Sequence, residues 1–238
     1  GWRQWLEAQL TAEPHLHQLE PTNHCPYACV MCPRARHMRR ARGYLDWVLF
    51  EKVITEVAGY SAAVREKEIE LFHFGESLLH PRIAEMVAAV GELGLRCCLS
   101  VNAPELEPEL AERILAGRPH RLIISLDGHD AASYREIRGP AADYERAVAN
   151  LRWLGERLRR EPRPYRVVLR IIRLHRNAPY LEQFRRQWQD AGFAVEVRPF
   201  FPWSDAAMAN LGEVRRYPPG MPCPFPWQYL VVQWDGTV

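Results

Sequence analysis

Six short runs dominated by apolar residues recur along the chain, at 15–21, 68–74, 95–101, 121–127, 165–173 and 193–200. Between them lie stretches whose apolar residues return at helical spacing. Leu49, Phe50, Val53, Ile54 and Val57 form one such stripe behind the candidate cap Asp46. Ile83, Met86, Val87 and Val90 form another between Pro81 and Gly94. Further helices are expected around 108–116, around 141–158, and over Leu181, Phe184 and Trp188 before Gly192. Six strand–helix repeats with short links predict a parallel sheet covered by helices. A doubly wound sheet and a partial barrel both satisfy that pattern. In either, the C-terminal ends of the strands form the functional rim. The polar clusters at 73–77, 100–103 and 125–128 all fall there, beside a cysteine loop that follows the first strand.

Composition narrows the class. At 238 residues the chain is long enough for one large core. Lys+Arg 31 against Asp+Glu 29 leaves +2, so no bulk field argues for nucleic acid or a membrane surface. No apolar run is long enough to span a bilayer, and the N-terminal GWRQWLEAQL does not read as a signal peptide. A reducing cytoplasm is the expected home. Six cysteines there point to metal or redox work before disulfides.

Three of those cysteines, Cys25, Cys29 and Cys32, share the loop CPYACVMC. Structural zinc asks for four ligands, usually from paired CxxC elements. The nearest other thiols, Cys97 and Cys98, lie inside an expected strand, and His24 abuts Cys25 too closely to ligate the same ion. An iron–sulfur cubane takes one thiolate per iron, so three leave one iron open. An electron carrier has little use for that vacancy; an enzyme has one, as catalytic zinc does. A non-catalytic iron–sulfur or zinc protein is the rival class.

The loop resembles the cluster-binding element of the radical S-adenosylmethionine (radical SAM) superfamily, in particular its SPASM and twitch subgroup, and the resemblance runs from about His15 to Val238. It implies a partial (β/α)6 TIM-like barrel carrying the start of a C-terminal extension. It also implies a [4Fe–4S] cluster on Cys25, Cys29 and Cys32, with S-adenosylmethionine at the fourth iron. Tyr27 and Met31 of the loop then belong to the cofactor site, Met31 packing near the adenine. FHFGESLLHP resembles the family's Gly-Gly-Glu-Pro element, with Phe74 in place of the first Gly and Ser77 in place of the Pro. Gly75, Glu76 and Ser77 would receive the cofactor's amino group; a solvated loop carboxylate is the plainer reading of Glu76. Asn102 would meet the ribose, or serve only as a turn residue after its strand. Ser125 and Arg138 would take the methionine carboxylate, while Asp127 caps the following turn. No side chain beyond the cluster and S-adenosylmethionine is assigned a catalytic step.

The expected activity is reductive cleavage to a 5′-deoxyadenosyl radical that abstracts hydrogen from a substrate C–H bond. Two substrate classes are implied. One is a small natural product or metabolite, such as a sugar, aminocyclitol or nucleoside, undergoing oxidation, epimerisation, decarboxylation or elimination. The other is a peptide or protein side chain. Only 24 residues precede Cys25, which favours the small molecule. A flavodoxin- or ferredoxin-type reductase is the expected electron donor.

Residues 1–200 are read as the barrel core, with 1–14 an N-terminal helical segment, and 201–238 as a linker and the beginning of the extension. In that extension Cys223 would be the first ligand of an auxiliary iron–sulfur cluster, its fellow ligands lying beyond Val238; a free cysteine in a Pro-rich loop is the alternative. Cys97 and Cys98 are expected to supply at least one core thiol, and His73 and His80 to be satisfied, partly buried histidines. RARHMRRARG (34–43) reads as a solvated loop or an anion-attracting one, with nucleic acid disfavoured because no aromatic array accompanies it.

Overall fold

The expected strands form as β1 (His15–Leu19), β2 (Glu68–Glu70), β3 (Arg96–Asn102), β4 (Arg121–Ser125), β5 (Arg166–Arg173) and β6 (Ala194–Pro199), joined by a seventh, β7 (Tyr229–Val232). This computed structural model describes residues 1–8, 10, 12–160, 164–203, 205–214 and 223–238. All seven strands lie in one sheet in the order β6-β5-β4-β3-β2-β1-β7, and every neighbouring pair is parallel. A doubly wound sheet reverses its strand order at a switch point. Here β1 to β6 follow in sequence without reversal, which is the order of a partial TIM-like barrel.

The helices are α1 (Trp2–Glu7), α2 (Pro33–His37), α3 (Trp47–Ala58), α4 (Ala62–Arg65), α5 (Ile83–Glu92), α6 (Pro108–Ala116), α7 (Ala131–Arg138), α8 (Tyr144–Arg160), α9 (Leu181–Asp190) and α10 (Phe225–Gln228). Asp46 caps α3 as expected, accepting from the amides of Val48 and Leu49. Sheet register separates the two faces. The rows Leu99–Leu122–Val167 and Val101–Ile124–Leu169–Val195 are apolar. They join Phe50, Ile54, Val87, Ile114, Leu151 and Phe184 from the helices in one buried cluster. Successive strand residues face opposite ways, so the alternate rows line the concave side. Two of those rows are polar, Gln18–Glu70–Cys98–Arg121 and Asn102–Ser125–Arg170–Glu196, and the row between them, Ser100–Ile123–Val168–Ala194, is mainly apolar.

Three departures from the sequence reading stand out. The second strand is cut to three residues, because the chain turns at Leu71 to build the rim loop. Helix α7 was not anticipated; its AASYREIR has only Tyr134, Ile137 and Arg138 buried. The strand expected at 229–234 forms as β7 and pairs with β1, so it extends the main sheet. The Pro-dense segment at 216–222 lies outside the described residues. Among the described residues, no helix is long and apolar enough to cross a membrane.

Candidate active site

The cysteine loop leaves the end of β1 and is fixed from three sides. Buried Asn23 donates to the Ala41 carbonyl (2.8 Å) and accepts from the Gly43 amide (3.0 Å). The amides of Ala28 and Val30 donate to the carbonyls of Arg138 (3.1 Å) and Ile137 (2.9 Å). Those carbonyls belong to the last turn of α7, where a helix has no partners of its own. Arg34 donates to the carbonyls of Tyr27 (2.6 Å) and Cys25 (3.2 Å). The loop is therefore held by its backbone, and its thiols form no disulfide.

The rim after β2 meets this loop through Gly75. A Cβ at that position would lie 2.0 Å from the Thr22 carbonyl oxygen and 2.9 Å from the Asn23 Cα, so only glycine permits the approach. The next residue, Glu76, donates its amide to the His24 carbonyl at 2.7 Å. Its carboxylate is buried, against the solvated reading. It accepts from the amides of Leu78 (3.0 Å) and Asn102 (2.8 Å) and from Asn102 Nδ2 (2.5 Å). Asn102 Oδ1 in turn accepts from Arg138, whose guanidinium also reaches Asp127 (2.5 Å) and the Cys29 sulfur (3.7 Å). One polar network thus runs from the rim of β2 across the end of β3 to α7 and the middle thiol.

Ser77 donates its hydroxyl to the Leu71 carbonyl at 2.8 Å, closing the rim loop on itself. Ser125 ends β4 beside Asn102 in register. Tyr27 is buried and donates to Glu105 at 2.5 Å, and Met31 is buried in the same cluster. Asp127 does more than cap a turn: it pairs with Arg138 and accepts from the Ile172 amide at 2.7 Å, while Asp130 caps α7. His24 stacks on Tyr44, with ring centroids 4.7 Å apart, and His80 is satisfied by the Leu45 carbonyl and the Arg82 amide. His73 binds Gln18 on the concave side at 2.7 Å. Cys97 and Cys98 are both buried, and Cys223 is exposed and free.

The donor set fits an iron–sulfur cluster. Burial pushes the Cys25 thiol up to about 12 and raises Cys29 as well, with Arg138 opposing the rise at Cys29. A cationic cluster reverses that penalty on the thiolate. Among the described residues, no three His, Cys, Asp or Glu side chains close on one point that would hold a single metal ion. Ligands on different irons of a cubane stand a cluster edge apart, a wider span than one ion demands.

Burial also pushes the Glu76 carboxyl up to about 7 from its ordinary 4.5, despite the three hydrogen bonds it accepts. Its folded-state value is the higher one. The stability it contributes is therefore complete below about pH 4.5 and is lost as pH rises through 7. In protein without added iron or S-adenosylmethionine, Glu76→Gln should remove this titration. Urea melts at pH 4.5 and pH 8 should show the wild type losing on the order of 2–3 kcal/mol relative to the variant. Equal losses in both proteins would place the carboxylate in contact with solvent.

Sequence reasoning missed Glu20, which is wholly buried after β1. It accepts a bidentate pair from Arg40 (3.0 Å each), the Phe74 amide (3.1 Å) and the Trp234 amide (3.3 Å). Arg40 and Arg34 are thus structural members of the arginine-rich loop. A charged residue directly after an apolar strand was the available signal. Glu105, the partner of Tyr27, had none.

A sequence profile of the Radical SAM superfamily matches residues 19–178. The AdoMet-dependent heme synthase of Methanosarcina barkeri (strain Fusaro / DSM 804) is 30% identical over 158 residues, covering 66% of this chain and 43% of that protein. The GTP 3′,8-cyclase of Marinobacter nauticus is 33% identical over 123 residues, covering 50% of this chain and 35% of that one. The chain therefore spans less than half the length of these curated relatives. Among solved structures, Streptococcus suis SuiB bound to S-adenosylmethionine matches with a TM-score of 0.66 at 14% identity, over 90% of this chain and 46% of SuiB.

Proposed function

The chain belongs to the radical SAM superfamily, and from that premise we propose that its rim binds a [4Fe–4S] cluster through Cys25, Cys29 and Cys32, with S-adenosylmethionine beside it. When bound, such a cluster would supply the electron for reductive cleavage of S-adenosylmethionine, the chemistry that would provide a 5′-deoxyadenosyl radical for hydrogen abstraction from a substrate C–H bond. The carrying observation is the network that joins Glu76, Asn102 and Arg138 to the Cys29 sulfur. Around it, the chain's own residues divide the work. Gly75 lets Glu76 lie against the cysteine loop, where an ionised carboxylate receives the cofactor's ammonium. Arg138 fixes the Asn102 amide for the ribose and, with Ser125, offers cationic and hydroxyl donors to the methionine carboxylate. Tyr27 and Met31 pack beneath the loop, and Ser77 holds the rim in shape. Beyond Ser125 on the same concave row, Arg170 and Glu196 face the substrate.

The proposed substrate is a small metabolite such as a sugar, aminocyclitol or nucleoside. The relatives' names, a heme synthase and a GTP cyclase, support small-molecule chemistry. A low-potential flavodoxin or ferredoxin is the proposed donor. Residues 1–200 together with β7 serve as the catalytic core, and the segment around Cys223 as the beginning of an extension in which Cys223 is an auxiliary-cluster ligand. The test is anaerobic reconstitution with iron and sulfide, then dithionite and S-adenosylmethionine. Visible charge-transfer absorption and formation of 5′-deoxyadenosine with methionine are expected. Tight zinc without that absorption would overturn the reading.

A further inference from the structure

Two segments of the site, the start of α2 and the loop after β2, border a pocket that neither the thiols nor the Glu76 network uses. Pro33 follows Cys32 directly and Phe74 precedes Gly75 directly. Between them lies a pocket of about 390 Å³, whose remaining wall is Met38 and four basic side chains, Arg34, His37, Arg39 and Arg40. Volumes of roughly 300–1,000 Å³ are typical of small-molecule sites. Three of the four basic groups already have partners within the chain. Arg34 holds the loop carbonyls, Arg40 holds Glu20, and His37 meets Asp205 at 2.7 Å. Arg39 is exposed and has no hydrogen-bond or ion-pair partner among the described residues.

Phe74 is the aromatic face of the pocket, and it continues outside the pocket into an aromatic run. The Phe74 ring lies 5.6 Å from Trp203, which lies 5.3 Å from Phe201, and the last two are exposed. Trp203 sits at φ +53°, a left-handed conformation that a bulky residue adopts only against a steric cost. That turn brings an indole from beyond β6 to the rim of β2, and the His37–Asp205 contact ties the same segment to the arginine loop. A flat π surface beside an unpaired guanidinium selects a ring that stacks and an anion that takes paired donors.

We propose that this pocket binds a planar heteroaromatic molecule carrying phosphate or carboxylate groups, as the substrate of the adjoining site. The substrate role rests on the function proposed above; the binding does not. Isothermal titration calorimetry of the reconstituted, unreduced protein tests it. GTP is compared with guanosine, and orotate with its methyl ester, so the two arms separate phosphate from carboxylate. At least one anionic probe should bind about tenfold or more tightly than its uncharged partner. Arg39→Ala and Phe74→Ala should each weaken that binding by about tenfold. Phe74→Leu, which keeps apolar volume and removes the π face, should fall between Phe74→Ala and wild type. Absence of saturable binding by either probe overturns the proposal, as does binding that the Arg39 and Phe74 variants leave unchanged. Wild-type protein that forms 5′-deoxyadenosine but binds neither probe refutes the pocket alone. Protein that binds a probe but forms no 5′-deoxyadenosine refutes the catalytic reading alone.

Discussion

Cys29→Ala protein, reconstituted anaerobically with iron and sulfide, should retain almost no iron and form 5′-deoxyadenosine only at background level. Cys29 is the most buried thiol of the loop at 7% exposure, and its sulfur lies 3.7 Å from Arg138. Water has little access to replace it as a ligand. Removing it leaves two protein ligands for a cluster that already has one iron open, and metal affinity falls with each lost thiolate. Cys97→Ala is the matched control. Cys97 is fully enclosed on the helix-covered face and shares a row with Ile69, far from the loop in role. Its loss should cost about 1–2 kcal/mol of stability through a small cavity, with iron content unchanged. Iron analysis, visible absorption and product chromatography on both variants decide the matter. A Cys29→Ala protein that keeps a full cluster would remove this thiol from the ligand set.

The contrast between those cysteines was legible in sequence because it rests on local pattern. Cys97 and Cys98 interrupt an alternating apolar run, whereas Cys25, Cys29 and Cys32 share a loop with prolines at both ends. Asp46 and the stripe behind it likewise announced α3, and Gly94 and Gly192 take the positive φ values expected of glycines that end helices. Lateral strand order was not legible, since strand–helix repeats fit both a doubly wound sheet and a barrel. Only register between distant strands separates them. The missed helix α7 shows the other limit. Its apolar content is low because its work is at its end, where the carbonyls of Ile137 and Arg138 receive the cysteine loop. Glu76, Asn102 and Arg138 were each visible singly, yet their connection spans residues 76 to 138 and depends on tertiary contact. Similarly, nothing in RARHMRRARG distinguishes Arg40, which closes on Glu20, from Arg39, which has no partner among the described residues.

Arg138→Ala should be the most destabilising change at the rim. Arg138 and Asp127 are both buried, and their ion pair is 2.5 Å long. A buried pair gains little over a well-packed apolar one, because desolvation offsets the attraction. Breaking it is different: the carboxylate of Asp127 stays enclosed with the Ile172 amide as its only donor among the described residues. Loss of one partner of such a pair costs about 3–5 kcal/mol. For a chain of this size that lowers the melting temperature by roughly 6–20 °C. Scanning calorimetry without iron separates this effect from cluster loss. Adding Asp127→Asn should restore part of the stability, because a neutral amide is cheaper to enclose than an unpaired charge. The double variant should not recover S-adenosylmethionine binding, since Asn102 still lacks the guanidinium that orients its amide. Stability that rises while cofactor affinity stays low would divide the role of Arg138 between folding and cofactor binding. An Arg138→Ala protein as stable as wild type would instead mean that water reaches Asp127, and the rim would be more open than the network from Glu76 to Cys29 requires.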